Sequence, residues 1–262
     1  MTFFQSIIIA IVEGITEFLP VSSTGHIIIT GKLLSVPEND FTLAYTVAVQ
    51  LGAILAVVAL YWRKFFDLSN WKFYLKILTG TLPAVVLGLL LSNKIDLLLE
   101  SATTVAIALL AGGIVLIFID RFFNHPKIDT EKKVGFGKAF IIGIWQCLAL
   151  IPGMSRSASS IIGGMQQGLT RSAAAEFSFF IGVPTLLGAT VYKLYKYYEI
   201  TGGFTTQEVK LLVVGNIFSF AVAMIAIKFF IDFLKKHGFK IWGYYRVIVG
   251  IVLLIMIYSG FL

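Results

Sequence analysis

The chain has 262 residues; 58% are hydrophobic, only 13% are charged, and the mean hydropathy is +0.90. A water-soluble domain carries roughly 25% charged residues, so this composition excludes a soluble globular enzyme and makes lipid the protein's solvent. The net charge of +7 does not point to a nucleic-acid partner, because the basic residues sit in short loops between apolar runs and not on one solvated face.

The first stretch, residues 3–34, is apolar but interrupted. Its start resembles a signal peptide, yet it lacks a basic leader and an evident cleavage site, and it carries Glu13 and Glu17 inside the run, so it reads as mature structure. The interruption is Leu19-Pro20-Val21-Ser22-Ser23-Thr24-Gly25-His26. Each half of the stretch, about 14 to 17 residues, is too short to cross a hydrocarbon core about 30 Å thick. Unwound backbone at that depth requires protein or water to satisfy it, and the stretch therefore predicts a re-entrant helix pair. Three spans follow, over residues 41–61, 73–91 and 102–119. A second interrupted stretch, 137–168, is broken at Ile151-Pro152-Gly153-Met154-Ser155-Arg156-Ser157 and predicts a second re-entrant pair. The single cysteine, Cys147, lies here; it rules out an internal disulfide and reads as a small buried residue. Spans over 177–195, 211–231 and 243–259 complete the chain. Tyr61, Trp62, Trp71, Tyr195, Tyr197, Tyr198, Trp242, Tyr244 and Tyr258 mark the ends of the runs, where amphipathic rings favour the interface.

The pattern predicts an all-α polytopic membrane protein: six transmembrane helices plus two re-entrant helix pairs in one membrane domain. Basic clusters follow the first span (Arg63, Lys64, Lys72, Lys76), the third (Arg121, Lys127, Lys132, Lys133, Lys138) and the fifth (Lys228, Lys235, Lys236, Lys240). The opposing segments carry fewer, namely Lys32, Lys94, Lys193, Lys196 and Lys210. The positive-inside rule makes the first set cytoplasmic, so the first pair opens outward and the second inward. Each half is then one pair followed by three spans, an inverted-topology repeat of residues 1–124 and 135–262. Pro20-Val21-Ser22-Ser23 echoes Pro152-Gly153-Met154-Ser155, and Glu13 and Gln146 stand at nearly the same distance before the two prolines. Inverted repeats with broken helices place their site at the repeat interface.

Glu13 and Glu17 are one helical turn apart and share a face. Each costs about 2.5–3.5 kcal/mol to bury on insertion scales, which a divalent cation held by carboxylate oxygens would offset; a carboxylate here also suits a general base. Ser22, Ser23, Thr24 and His26 offer hydroxyls and an imidazole at a helix start, where backbone N–H groups bind anions. In the second break, Arg156 has no acid nearby in sequence. A guanidinium in such surroundings calls for an anion, and its fork matches phosphate oxygens. Its partner is either Glu13 or Glu17, as a structural ion pair, or a ligand phosphate with that pair around it. Ser155, Ser157, Ser159 and Ser160 are further candidate phosphate contacts, while Ser159 and Ser160 equally suit close helix packing. Glu176 and the loop acids read as interface or surface groups. The set suits a diphosphate bridged to a metal, with in-line attack on the terminal phosphorus.

Residues 13–26, Glu13 through His26, closely resemble the first signature of the undecaprenyl-diphosphate phosphatases, the bacitracin-resistance family; Pro152-Gly153-Met154-Ser155-Arg156-Ser157 resembles the second. Gln50-Leu51-Gly52-Ala53-Ile54-Leu55-Ala56-Val57 and Ala175-Glu176-Phe177-Ser178-Phe179 are also similar. The resemblance implies hydrolysis of undecaprenyl diphosphate to the monophosphate, a bacterial inner (plasma) membrane, Mg2+ or Ca2+, a site reached from the outer face, and room for a homodimer. It places the family's acidic pair on Glu13 and Glu17, its serine and histidine on Ser23 and His26, and its arginine on Arg156. The nucleophile is left among Ser23, His26 and a water on the metal, in that order. Thr24 stands where the family often has serine, and Ser160 where it often has threonine; both keep a hydroxyl. Two other readings use similar groups: a lipid-phosphate transporter or flippase with the same anion site, and a phosphatidic-acid-type phosphatase. The second needs two catalytic histidines, whereas His125 and His237 fall in loops.

Overall fold

The computed structural model describes residues 1–91, 98, 101–123 and 125–261; Lys94, one of the topology residues, lies outside them. The described residues are helical, with one isolated bridge between Ile128 and Leu169. Helix α1 (Phe3–Thr16) starts at Thr2, whose side chain and that of Gln5 cap each other's backbone N–H groups. It ends at the first break, and α2 (Ser23–Leu33) begins beyond Ser22. At 1.5 Å per residue these helices are about 21 Å and 16 Å long, too short to span. The next run is two helices, α3 (Asp40–Ala48) and α4 (Gln50–Leu60), interrupted at Val49. The expected single span over 41–61 is therefore jointed. Just past the joint, the Gly52 N–H donates 2.6 Å to Asn216 Oδ1 of a helix on the far side of the chain.

A short turn, α5 (Trp62–Phe65), leads to α6 (Trp71–Leu90) and α7 (Ala102–Phe122). Past a 3-10 turn at Glu131–Lys133, α8 (Phe136–Gln146) runs into a second 3-10 turn, Cys147–Leu150, and then the second break. Helix α9 (Arg156–Gln166) is as short as α2. The last three helices are α10 (Arg171–Thr201), α11 (Thr206–His237) and α12 (Lys240–Tyr258). Six runs, with α3 and α4 counted together, are long and apolar enough to cross a membrane, as the hydropathy pattern predicts. Helices α10 and α11, of 31 and 32 residues, reach well beyond the apolar runs that announced them. Strong caps extend them: Thr170 at the start of α10, and Thr205 with Glu208 at the start of α11. Glu176 consequently lies inside α10 and not before it. Large apolar side chains such as Leu90, Phe122 and Ile225 point outward, where lipid covers them.

The packing partners cross between halves. Helix α1 lies on α11, and α8 lies on α6; α4 packs on α11 and α10 on α6; α7 and α12 pair along their length. The interior between them is filled by Phe18, Phe179, Phe180 and Phe230, with Phe18 edge-on to Phe179 at 5.1 Å between centroids.

One expectation is corrected on the basic face. Glu131 is no surface acid: it is buried and receives Lys64 Nζ at 2.8 Å and the Thr130 hydroxyl at 3.0 Å. Lys64 also reaches Glu176 at 3.5 Å, and Lys76 donates 2.8 Å to the Lys132 carbonyl, so the 3-10 turn is fastened under α5 and α6. Cys147 is half-buried, less enclosed than its apolar run suggests, with Sγ 3.3 Å from the Gly143 carbonyl. Burial pulls the Glu131 carboxyl upward, but the Lys64 hydrogen bond and charge and the Thr130 hydroxyl outweigh it and hold the carboxyl below its ordinary value. A depressed carboxyl contributes stability that is complete above the ordinary value, about 4.3, and is lost as the pH falls through the lowered one. Thermal stability in detergent should drop as acid is added below that value, and Glu131→Gln should flatten the drop. Equal pH slopes for the two proteins would refute the fastening.

Candidate active site

The two breaks meet. Glu17, one residue past α1, and Arg156, the first residue of α9, form a buried ion pair: Oε1 of Glu17 receives Arg156 Nη2 at 3.1 Å and Nε at 3.3 Å. The side chains are only 6% and 8% exposed, so neither charge is carried by water. Of the two sequence alternatives for the arginine's partner, the structure holds the carboxylate. Arg156 Nη1 donates 3.0 Å to the Ser178 carbonyl, and the guanidinium lies 5.5 Å from the centre of the Phe18 ring. Gly182 on α10 makes room: a methyl group there would lie 2.5 Å from Nη1. Three of the five N–H groups of Arg156 are thus used, and no acceptor among the described residues takes the other two.

Both helix starts follow a serine with positive φ, 69° at Ser22 and 69° at Ser155. This conformation is costly for a residue with a side chain, and it turns the chain sharply into α2 and α9. The matched serines give another alignment of the two breaks than their prolines do. Counting back from each, Glu13 and Gln146 occupy the same step, and the second break simply holds one more residue after its proline. The two starts differ in their caps. Ser155 Oγ accepts from the Ala158 N–H at 3.2 Å, closing the first turn of α9, while Ser22 makes no such side-chain cap. The first-turn amides of α2 are therefore left without a side-chain cap.

Ser23, first residue of α2, donates 2.9 Å to Glu17 Oε2. Glu13 is fully buried, and neither of its carboxylate oxygens has a hydrogen-bond partner among the described residues. An ionised carboxylate stranded in that way is untenable without a counter-charge. Two hard oxygen donors of this kind fit Mg2+ or Ca2+, which take carboxylates together with ligand phosphate oxygens and water. No group of three or more His, Cys, Asp and Glu gathers among the described residues, so a cation held here would have to draw on the acid pair and on the ligand.

The remaining predicted residues are placed less centrally. His26 Nδ1 lies 2.8 Å from the Ser22 carbonyl and Nε2 lies 2.7 Å from the Tyr245 hydroxyl, with the two rings stacked. A carbonyl only accepts, so Nδ1 carries the proton and Nε2 accepts from Tyr245. Both ring nitrogens are committed, and His26 makes no hydrogen bond to Ser23, Glu17 or Arg156. Ser157 donates 2.7 Å to the Phe18 carbonyl and Ser160 donates 2.8 Å to the Arg156 carbonyl while meeting Ser178 Oγ at 2.6 Å. The Ser157 hydroxyl thereby fastens the breaks to each other, and the Ser160 hydroxyl fastens α9 to α10. Ser159 turns back on the Ser155 carbonyl at 2.9 Å, and Thr24 stands half-buried in the first turn of α2.

Two residues went unread in the sequence. Tyr245 stands beside the aromatic residues of the interface and carried no separate signal. Arg246, fully buried on α12, donates to Pro20 in the first break and to Gly153 and Met154 in the second. A lone arginine inside the last apolar run was visible, and the argument that singles out Arg156 applies to it unchanged.

The fold and site define a class: a polytopic membrane protein with an acid–serine–arginine centre built from two helix breaks. The family model described as "Bacitracin resistance protein BacA" matches residues 6–252. The chain is similar to proteins named "Undecaprenyl-diphosphatase" from Flavobacterium psychrophilum (54% identity, covering 98% of this chain and 96% of the relative), Porphyromonas gingivalis strain W83 (46%; 99% and 98%) and Aquifex aeolicus (43%; 96% and 97%). It belongs to the bacitracin resistance protein BacA family.

Removing one member of a buried ion pair strands the other, at about 3–5 kcal/mol. Arg156→Met should lower unfolding stability by that order. Glu17→Leu/Arg156→Met should cost clearly less than the two single losses together, measured by denaturant or thermal unfolding in detergent. Additive losses would mean the pair contributes nothing as a pair.

Proposed function

We propose that this chain removes the terminal phosphate of undecaprenyl diphosphate, yielding undecaprenyl phosphate and inorganic phosphate. The carrier lipid is thereby returned to cell-wall synthesis, with bacitracin resistance as the phenotype that the family's name records. The relatives that cover nearly the whole chain bear the matching name. The observation that carries the mechanism is the Ser23 hydroxyl, 2.9 Å from a carboxylate that Arg156 fixes from the other break.

Arg156, with two N–H groups uncommitted, and the open first-turn amides of α2 receive the diphosphate oxygens. Glu13, together with Glu17, would hold a divalent cation, whose charge offsets that of the diphosphate. Glu17 Oε2 takes the Ser23 proton as Oγ bonds to the terminal phosphorus in line. The anhydride P–O bond breaks and undecaprenyl phosphate leaves with the electron pair. Water then attacks the phosphoserine; Ser23 Oγ departs, recovers its proton from Glu17, and inorganic phosphate is released. His26 orients the start of α2 through the Ser22 carbonyl; Ser23 therefore stands ahead of it as nucleophile.

The reading includes the orientation drawn from loop charge: two re-entrant pairs, an inverted repeat, the bacterial inner membrane, and a site entered from the outer face. The crossed pairing of α1 on α11 and α8 on α6, and the matched serines, support the repeat.

Purified protein should release phosphate from undecaprenyl diphosphate with Mg2+ or Ca2+ and stop with chelator. Ser23→Ala and Glu17→Ala should each fall by about 10²–10⁴-fold. Turnover retained in Ser23→Ala would transfer the attack to water. No release from folded wild type, with lipid movement in reconstituted vesicles, would replace hydrolysis by transport. Separately, a cysteine at position 132 should resist membrane-impermeant reagent in intact cells; ready labelling would invert the topology.

A further inference from the structure

Arg246 has an unusual set of partners. Its guanidinium is 0% exposed, and no carboxylate pairs with it among the described residues. All five N–H groups donate to backbone carbonyls: Nε to Leu109 at 3.4 Å, Nη1 to Pro20 at 3.2 Å and Met154 at 3.1 Å, Nη2 to Ala108 at 3.1 Å and Gly153 at 3.0 Å. Two acceptors lie on α7. The other three lie in the two breaks, Pro20 just before Ser22 and Ser23, Gly153 and Met154 just before Ser155 and Arg156. The carbonyls of an irregular segment buried in protein need donors from somewhere, and here one side chain supplies both breaks. The neighbouring backbone leaves a space for it: a methyl group at Gly112 would run into Nη2.

We propose that Arg246 is a positioning residue for the reaction, the brace that holds the two breaks against α7 and so fixes Ser23 relative to Arg156. It acts through the backbone of both breaks and not as a contact to the reacting phosphate. A lysine at this position keeps the charge but, with three donors on one nitrogen, cannot span five acceptors held by a planar fork. Small displacements of groups remote from the chemistry cost about 10²-fold in turnover while leaving binding largely intact.

The proposal rests on the phosphatase reading of the breaks, and two readouts separate the failures. The first is phosphate release by full-length protein in detergent. Arg246→Met should lower kcat by about 100-fold with KM changed less than about threefold, and Arg246→Lys should recover only part of the loss. Gly112→Ala, which displaces the guanidinium without removing it, should lower kcat in the same way. The double variant Gly112→Ala/Arg246→Met should be no worse than Arg246→Met alone, because both act through one group. The second readout needs no activity: hydrogen exchange by mass spectrometry. Arg246→Met and Gly112→Ala should exchange faster at residues 18–24 and 151–157 together, with the remaining helices unchanged. Turnover within about twofold of wild type in Arg246→Met, a loss confined to KM, multiplying losses in the double variant, or unchanged exchange at both breaks would overturn the brace. A wild type that releases no phosphate yet loses protection at both breaks in Arg246→Met would leave the brace standing and remove the phosphatase reading.

Discussion

The ion pair between Glu17 and Arg156 ties together segments that are remote in sequence, and most of the local structure serves it. In an apolar interior two opposite charges attract strongly, but each also forfeits its hydration. Such a pair is tolerable only where further hydrogen bonds offset part of the lost hydration. Ser23 takes the second oxygen of Glu17, the Ser178 carbonyl takes Nη1 of Arg156, Phe18 offers its ring face, and Gly182 yields the volume. The pair is a buried, directional contact, and it requires both helices to be broken so that a helix start and a helix end can face each other.

Under the proposed repeat, the matched serines set a register in which the two halves use one scaffold for different chemistry. Glu13 falls opposite Gln146, Glu17 opposite Leu150, Ser23 opposite Arg156, and Gly113 opposite Arg246. The first half contributes both acids and the hydroxyl; the second contributes both arginines. Gln146, buried with its Oε1 unpartnered, keeps the polarity of its counterpart without the charge. Had each half carried its own acid and its own arginine, each could have neutralised itself within one break. Dividing the charges makes them pair across the centre, as Glu17 and Arg156 do.

Much of this was legible because membrane solvent makes polar residues conspicuous. The six spans follow from apolar length, and Glu13, Glu17, Ser23 and Arg156 were visible as expensive groups at two interruptions. What stayed hidden depended on side-chain direction. Nothing in the order Ser157-Ala158-Ser159-Ser160 says that these hydroxyls turn back on backbone, and a histidine among serines reads as chemistry until its two nitrogens are seen to be occupied. The joint at Val49 carries no local signal, and the Gly52 N–H just past it meets Asn216 on α11, remote in the chain. Glu131 was misread as a surface acid because its partner Lys64 is distant in the chain.

The two buried arginines divide a task that one could not perform. Arg156 spends three N–H groups on a carboxylate and a carbonyl and leaves two that the proposed reaction would use for an incoming anion; Arg246 spends all of its own on carbonyls and keeps none. A guanidinium that both ordered the breaks and bound the ligand would release one when it engaged the other, and the site would loosen as it filled. Separating the roles keeps the backbone of both breaks satisfied whether or not a phosphate is present. That is the condition under which donors aimed at a developing charge need no rearrangement during the reaction.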